Sequence, residues 1–232
     1  MKIKFGVVVF PGSNCDHDSY YSIKKVLGYD VTFLWHKENN LQNCSVIILP
    51  GGFSYGDYLR TGAIAKLSPI MNSIIDFAEK GGIVVGICNG FQILTESGLL
   101  PGVLLKNNSL KFVCKDVYLT TVNLNTRFTN QLNRDAVIKF PIAHGEGNYF
   151  AEEDTLNSLV KNNQIVFKYS SSSGEVSDKH NPNGSSMNIA GIINKNGNVL
   201  GMMPHPERCC NPILGNTDGT LVFKSIFQSL IN

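Results

Sequence analysis

Runs of consecutive apolar residues recur through the first half of the chain, separated by stretches in which apolar positions return every three or four residues. Phe5 to Phe10, Val31 to Trp35, Val46 to Leu49 and Ile83 to Ile87 are rich in β-branched residues, the texture of strands covered on both faces. Between them, a helix follows Pro11-Gly12-Ser13-Asn14, with Ile23, Val26 and Leu27 on its inner face and Gly28 at its end. A second opens on Ser68-Pro69, presents Ile70, Ile74 and Phe77 on one face and stops at Gly81, and a third runs from Phe91 to Ser97 with Gly98 as its left-handed stop. Strand alternating with helix predicts a three-layer α/β/α arrangement around a mostly parallel sheet, whose chemistry gathers beyond the carboxyl ends of the strands.

After Gly98 the pattern changes. Val117 to Val122, Val137 to Ile142, Ile165 to Tyr169, Ile189 to Ile193 and Val199 to Met203 read as strands joined by short polar turns such as Asn196-Gly197-Asn198, which predicts an antiparallel extension. Asp218 stands where it would cap a last helix, whose Phe223, Ile226, Phe227 and Leu230 form a core stripe. The polar stretch from Ser170 to Ser186 is a long loop, expected to face a substrate or a partner. No break in composition separates the halves, so residues 1–232 are expected to form one domain.

One junction in this pattern carries candidate chemistry. Cys88 lies between the strand ending at Ile87 and the helix that follows, with Gly86 and Gly90 two residues to either side. That is the spacing of a nucleophile elbow, where the turn is so sharp that neighbouring backbone excludes a side chain. At a helix N-terminus, unpaired N–H groups favour a thiolate and can hold an oxyanion, which makes the Asn89 amide a candidate donor. The glycine-dense loop from Pro50 to Arg60 supplies Gly52 and Phe53 as further backbone donors. A base is offered by His205, set between Pro204 and Pro206, with Glu207 placed to orient its ring. The competing readings are a buried structural cysteine, a surface turn and a surface histidine at a strand end.

Composition narrows the field. With 20 basic and 18 acidic residues and no dense run of either sign, an extended phosphate-binding face is not indicated, and nucleic acid is not an expected partner. The first apolar run ends at Pro11-Gly12, too short for a signal-peptide core or a membrane span, which points to the cytoplasm. Six cysteines without a Cys-x-x-Cys pair read as free thiols, and His205 with Cys209 lacks a second ligand pair, so no metal is expected. Neither a Walker loop nor a complete dinucleotide glycine fingerprint occurs.

Taken together, Cys88 in its elbow, Gln92 one turn on, Pro50-Gly51-Gly52 upstream and His205-Pro206-Glu207 downstream resemble the class I glutamine amidotransferases over nearly the whole chain. Within that class, Pro11 to Asp16, Gly51 to Tyr58, Ala143 to Gly147 and Gly201 to Arg208 resemble the glutaminase subunits of phosphoribosylformylglycinamidine synthases. The resemblance implies a flavodoxin-like fold and hydrolysis of glutamine to glutamate and ammonia through a Cys88 thioester. It implies that Gln92 lies near the bound glutamine, and that His144 and Glu146 either help hold its amino-acid end or belong to a partner contact. It also implies two partners, a larger synthetase subunit that carries ATP and magnesium and makes formylglycinamidine ribonucleotide for purine synthesis, and a small accessory subunit; this chain would hold no cofactor itself. A glutaminase serving another synthetase, a cysteine hydrolase of α/β type and a non-catalytic module on the same fold remain the alternatives.

Overall fold

The computed structural model describes residues 3–133 and 136–231. In chain order its first part contains β1 (Lys4–Val9), α1 (Asp16–Tyr21, continued by a wider π turn through Val26), β2 (Asp30–Trp35), β3 (Val46–Leu49), α2 (Pro69–Glu79), β4 (Ile83–Ile87) and α3 (Asn89–Glu96). The rest contains β5 (Val103–Leu105), β6 (Val113–Thr121), β7 (Val137–His144), β8 (Asn148–Phe150), α4 (Glu153–Lys161), β9 (Ile165–Ser170), β10 (Ile189–Ile193), β11 (Val199–Met202) and α5 (Gly219–Gln228).

A single nine-stranded sheet in the order β2-β1-β3-β4-β11-β10-β9-β6-β7 organises the molecule, with β5 and β8 paired separately. The strands from β2 to β11 in that order are parallel, and those from β11 to β7 antiparallel. The sequence pattern groups Val199 to Met203 with the antiparallel strands; the structure inserts β11 beside β4 in the parallel block as well, so β11 is the seam between the two halves. This placement decides the function. In the parallel register Gly201 faces Gly86 and Met202 faces Ile87, so the two strands end level, and the Cys88 amide donates to the Met202 carbonyl at 2.8 Å. Whatever follows Met202 emerges next to whatever follows Ile87.

Every residue of β3, β4, β10 and β11 is buried, as strands covered on both faces require. Helix α2 starts at Ser68-Pro69 as expected, though Ser68 caps no amide; its hydroxyl faces Tyr55 instead. Asp218 likewise stands at the first turn of α5 without capping it, and its carboxylate accepts the Lys139 backbone N–H from β7 at 2.8 Å, tying the last helix to the sheet. The segment after Ser170 is pinned rather than open: Asn183 is buried and its side-chain amide donates to the Gly147 carbonyl at 2.8 Å and the Tyr169 hydroxyl at 3.2 Å. Among the described residues no helix is long and apolar enough to cross a membrane.

Candidate active site

The chain runs from β1 outward to β2 and then returns past β1 to β3, so the sheet reverses its order between β1 and β3. Ligand crevices of open α/β sheets form at such a reversal. Here the loops after β1 and β3 interlock. The Phe53 amide donates to the Gly12 carbonyl at 3.0 Å, the Cys15 amide to the Gly51 carbonyl at 3.2 Å, and Gly52 at φ +132° lies against the Asn14 and Ser13 backbone with no room for a side chain. Beyond Gly52 the loop keeps Tyr55, Asp57 and Leu59 at positive φ. Such conformations are costly for residues other than glycine and persist where surrounding structure enforces them.

Cys88 occupies the corner expected of it. Its backbone sits at φ 51° and ψ −104°, outside the ordinary regions, between the end of β4 and the first turn of α3. The flanking glycines are required. A Cβ on Gly86 would lie 2.6 Å from the Gly90 backbone, and one on Gly90 would run into the Leu49 carbonyl oxygen. The strain at Cys88 is of the order of 1–3 kcal/mol, sustained by the packing of α3 on β3 and β4. The sulfur lines a cavity of about 180 Å³ together with Gly52, Phe53, Asp57, Thr61, Gln92, Phe112, Ala143, His144, Gly145 and Glu146.

His205 follows the end of β11, and its Nδ1 stands 2.6 Å from Glu207 Oε1 with both side chains buried. The Pro206 to Arg208 turn brings the carboxylate back under the ring, and Ser22 of the first helical segment fixes it by donating to the Glu207 carbonyl at 2.7 Å. Burial alone would strip the imidazole of its proton. The Glu207 charge, and beyond it the Cys88 and Cys15 sulfurs, outweigh burial and hold the ring well above its ordinary pKa. His205 Nε2 and Glu207 Oε2 are left without hydrogen-bond partners. The candidate nucleophile, base and orienting carboxylate are thus brought together from β4 and β11.

The other expected residues divide. Gly52 lines the cavity and its amide has no partner among the described residues, and the Asn89 amide, first in α3, is one that a helix leaves unpaired. The Phe53 amide is engaged with the Gly12 carbonyl at 3.0 Å, which leaves the Gly52 amide as the unpaired one of the two expected donors on this loop. Gln92 lines the cavity and is locked in place, its Nε2 donating to the Glu146 carbonyl at 2.6 Å and its Oε1 accepting from Asn89 Nδ2 at 2.9 Å. The Glu146 carboxylate faces Thr61 Oγ1 at 3.0 Å. His144 touches the cavity, but its ring lies between Asn107 Oδ1 at 3.0 Å and Asn183 Nδ2 at 3.5 Å, and burial, seconded by His205, pulls its pKa down to about 4. It acts as a neutral strut for the loop that carries Glu146.

Sequence reasoning passed over Asp57, which accepts from Asn89 Nδ2 at 3.2 Å and whose carboxyl is pushed up to about 6 by burial and by Glu146. It also passed over Cys15, buried beside His205, where Arg208 Nη2 donates to its sulfur at 3.0 Å. The signal for Cys15 was its place just past β1, at a strand end beside the reversal in sheet order. Cys15 does not line the cavity and Cys88 does, which separates the two thiols that share the imidazole.

The comparisons agree with this geometry. A family model described as the CobB/CobQ-like glutamine amidotransferase domain matches residues 2–226. The chain is 55% identical to the phosphoribosylformylglycinamidine synthase subunit PurQ of Salinibacter ruber, over 98% of this chain and 97% of that one. It is 57% identical to the subunit of the same name from Moorella thermoacetica, over 97% and 95%. Among solved structures, a chain of PurLQS from Thermotoga maritima superposes with a TM-score of 0.87 at 44% identity, covering 99% of this chain and all of that one. The glutaminase domain of CTPS from Trypanosoma brucei, at 14% identity and a TM-score of 0.61 over 98% of this chain and 94% of that one, shares the fold. With a cysteine elbow, a buried histidine–glutamate pair and this breadth of likeness, the chain belongs to the CobB/CobQ-like glutamine amidotransferases.

Proposed function

We propose that this chain is the glutaminase subunit of a phosphoribosylformylglycinamidine synthase, and that it releases ammonia from glutamine at Cys88. The observation that carries the chemistry is the level ending of β4 and β11, which sets Cys88 beside a histidine already paired to a buried carboxylate. The substrate and pathway are supported by the curated relatives, whose full length this chain matches.

In this reading the Cys88 thiolate attacks the side-chain amide carbon of glutamine, and the oxyanion is met by the amides of Gly52 and Asn89. The His205 imidazolium gives its proton to the departing ammonia, and the neutral ring then takes one from the water that hydrolyses the glutamyl thioester. Glu207 keeps the ring oriented throughout and favours its charged form whenever a proton is on it. Gln92 and Glu146 line the same cavity and are suited to the amino-acid end of the substrate. The ATP and magnesium chemistry belongs to a larger synthetase subunit in the cytoplasm, accompanied by a small accessory subunit. Phe53 and Phe112, which line the cavity, are stacked at 6.3 Å, and Tyr58 and Leu59, next along the chain from the cavity-lining Asp57, stand exposed, an apolar surface suited to a docked synthetase.

The test reconstitutes the purified chain with its synthetase. Glutamine should drive formylglycinamidine ribonucleotide formation, and Cys88→Ala should abolish that rate while leaving the ammonia-driven rate intact. A complex that uses ammonia but never glutamine with the unaltered chain overturns the assignment.

A further inference from the structure

Cys15 is a buried thiol that the mechanism above does not use, and it stands among groups with unspent lone pairs. Cys15 Sγ, a ring nitrogen of His205 and a carboxylate oxygen of Glu207 lie within 4.8 Å of one another. They reach this spot from the turn after β1 and from the turn after β11. Gly51 packs against them and leaves no side chain in their way: a Cβ there would stand 3.3 Å from Cys15 Sγ, 3.3 Å from His205 Nδ1 and 2.6 Å from His205 Cε1. Glu207 Oε2, buried and facing no donor, is an independent sign that the cluster is not saturated by the protein.

We propose that Cys15, His205 and Glu207 form an inhibitory site for a soft divalent cation of the zinc class. One thiolate, one imidazole and one carboxylate are the donor types zinc takes, and three protein ligands leave its fourth position open. A tetrahedral zinc sets such donors roughly 3.3–3.6 Å apart. The donors lie within 4.8 Å of one another, and the 2.6 Å contact between His205 and Glu207 would widen as hydrogen bond gives way to coordination. Calcium and magnesium are disfavoured, since they ask for six or more oxygen ligands and the cluster offers one carboxylate. The charges balance: a thiolate and a carboxylate neutralise the dication, and Arg208, 3.0 Å from the sulfur, keeps Asp18 as its counter-ion at 3.3 Å. Occupation takes the proton-carrying ring away from Cys88 and so halts turnover. Binding itself does not depend on the proposed reaction; only the inhibition rests on His205 serving as the base.

The measurement is titration of the metal-free full chain with zinc chloride against a chromophoric chelator, with cobalt(II) as a second probe. One zinc per chain is expected, together with the sulfur-to-cobalt charge-transfer band and the intense visible bands of a tetrahedral site. Cys15→Ala should weaken zinc binding at least 100-fold and remove the charge-transfer band, whereas Cys209→Ala and Cys88→Ala should each still bind one ion. Thermal melts of each variant separate lost ligation from lost folding. In the reconstituted complex, zinc should suppress the glutamine-driven rate and spare the ammonia-driven one, and a chelator should restore it. The proposal is overturned if the unaltered chain binds no stoichiometric zinc, if Cys15→Ala binds as tightly as the parent, or if the ion is lost with Cys88 and kept without Cys15. None of these results bears on whether glutamine is the substrate, which the Cys88→Ala rate comparison decides.

Discussion

Glu207 shows how one buried residue sets the chemistry of another. Its carboxylate outweighs the desolvation that would otherwise discharge His205, so the ring keeps its proton where a buried imidazole without a partner would lose it. Because the pKa is raised in the folded protein, the imidazolium is fully present below the ordinary histidine value and is lost only as pH climbs through the raised one. Glu207→Gln removes the charge and keeps the shape. The pKa then falls, and the alkaline limb of the glutamine-driven kcat/KM profile should move to lower pH while the rate drops roughly 10²-fold. A pH–rate profile with ammonia as the control substrate checks this; an unmoved alkaline limb would mean Glu207 only packs. The His205–Glu207 pair was legible in sequence because two prolines framed it, and Gly86 and Gly90 announced the elbow at Cys88. The fate of the Phe53 amide was not legible, since its acceptor, the Gly12 carbonyl, lies in another loop and no local pattern marks an interlock.

Among the elements, α3 is fitted closely to its neighbours. Its first turn lies so close to β3 that Gly90 meets the Leu49 carbonyl with no space for a methyl group, and its buried Phe91, Ile93 and Leu94 fasten that face to the core. Gly90→Ala should therefore act twice. It should lower stability by about 1–3 kcal/mol through overpacking, read as a shift in the urea midpoint. It should also tilt the first turn of α3 and displace both Cys88 and the Asn89 amide, so that the glutamine-driven rate falls by more than the loss of folded protein accounts for. Helices and buried strands of the first half were readable because their apolar spacing is strong. Helix α4 was not, because Leu159 is its one buried residue and its polar face dominates the pattern. Strand β11 was readable as a strand, but its neighbour was not: a run of buried residues reads the same in a parallel and an antiparallel setting. The placement of His205 beside Cys88 depends on that neighbour.

Across the whole molecule, two cavity-lining groups, the buried His144 and the half-buried Asp57, act on stability with opposite signs at acid pH. His144 titrates at about 4 in the fold, below the unfolded value near 6.5, so the folded chain binds fewer protons in that interval and loses stability as pH falls from 6.5 to 4. Asp57, raised to about 6, works the other way: the folded chain binds more protons between about 4 and 6 and loses stability as pH rises through that window. The two slopes partly cancel in the unaltered protein. His144→Gln should take away the first and leave the second, so its urea midpoint should decline with rising pH between 4 and 6 while the parent's stays flatter. Equal slopes in parent and variant would remove His144 from the balance.

The exposed apolar pair that follows Asp57 gives the last test at this scale. Leu59 is 82% exposed and held at positive φ, and Tyr58 beside it is 70% exposed; neither contributes to the core. An isolated protein gains nothing by exposing two large apolar side chains and holding one of them, Leu59, in a costly conformation. A synthetase docked there would cover them and give the strained loop a second anchor. Leu59→Asp places a charge in that contact. It should leave the melting temperature of the free chain within a degree or two, weaken association with the synthetase at least 10-fold by calorimetry, and reduce glutamine-driven synthesis while the ammonia-driven rate persists. If association is unchanged, the synthetase approaches from another face, and the exposed pair at 58 and 59 needs a different explanation.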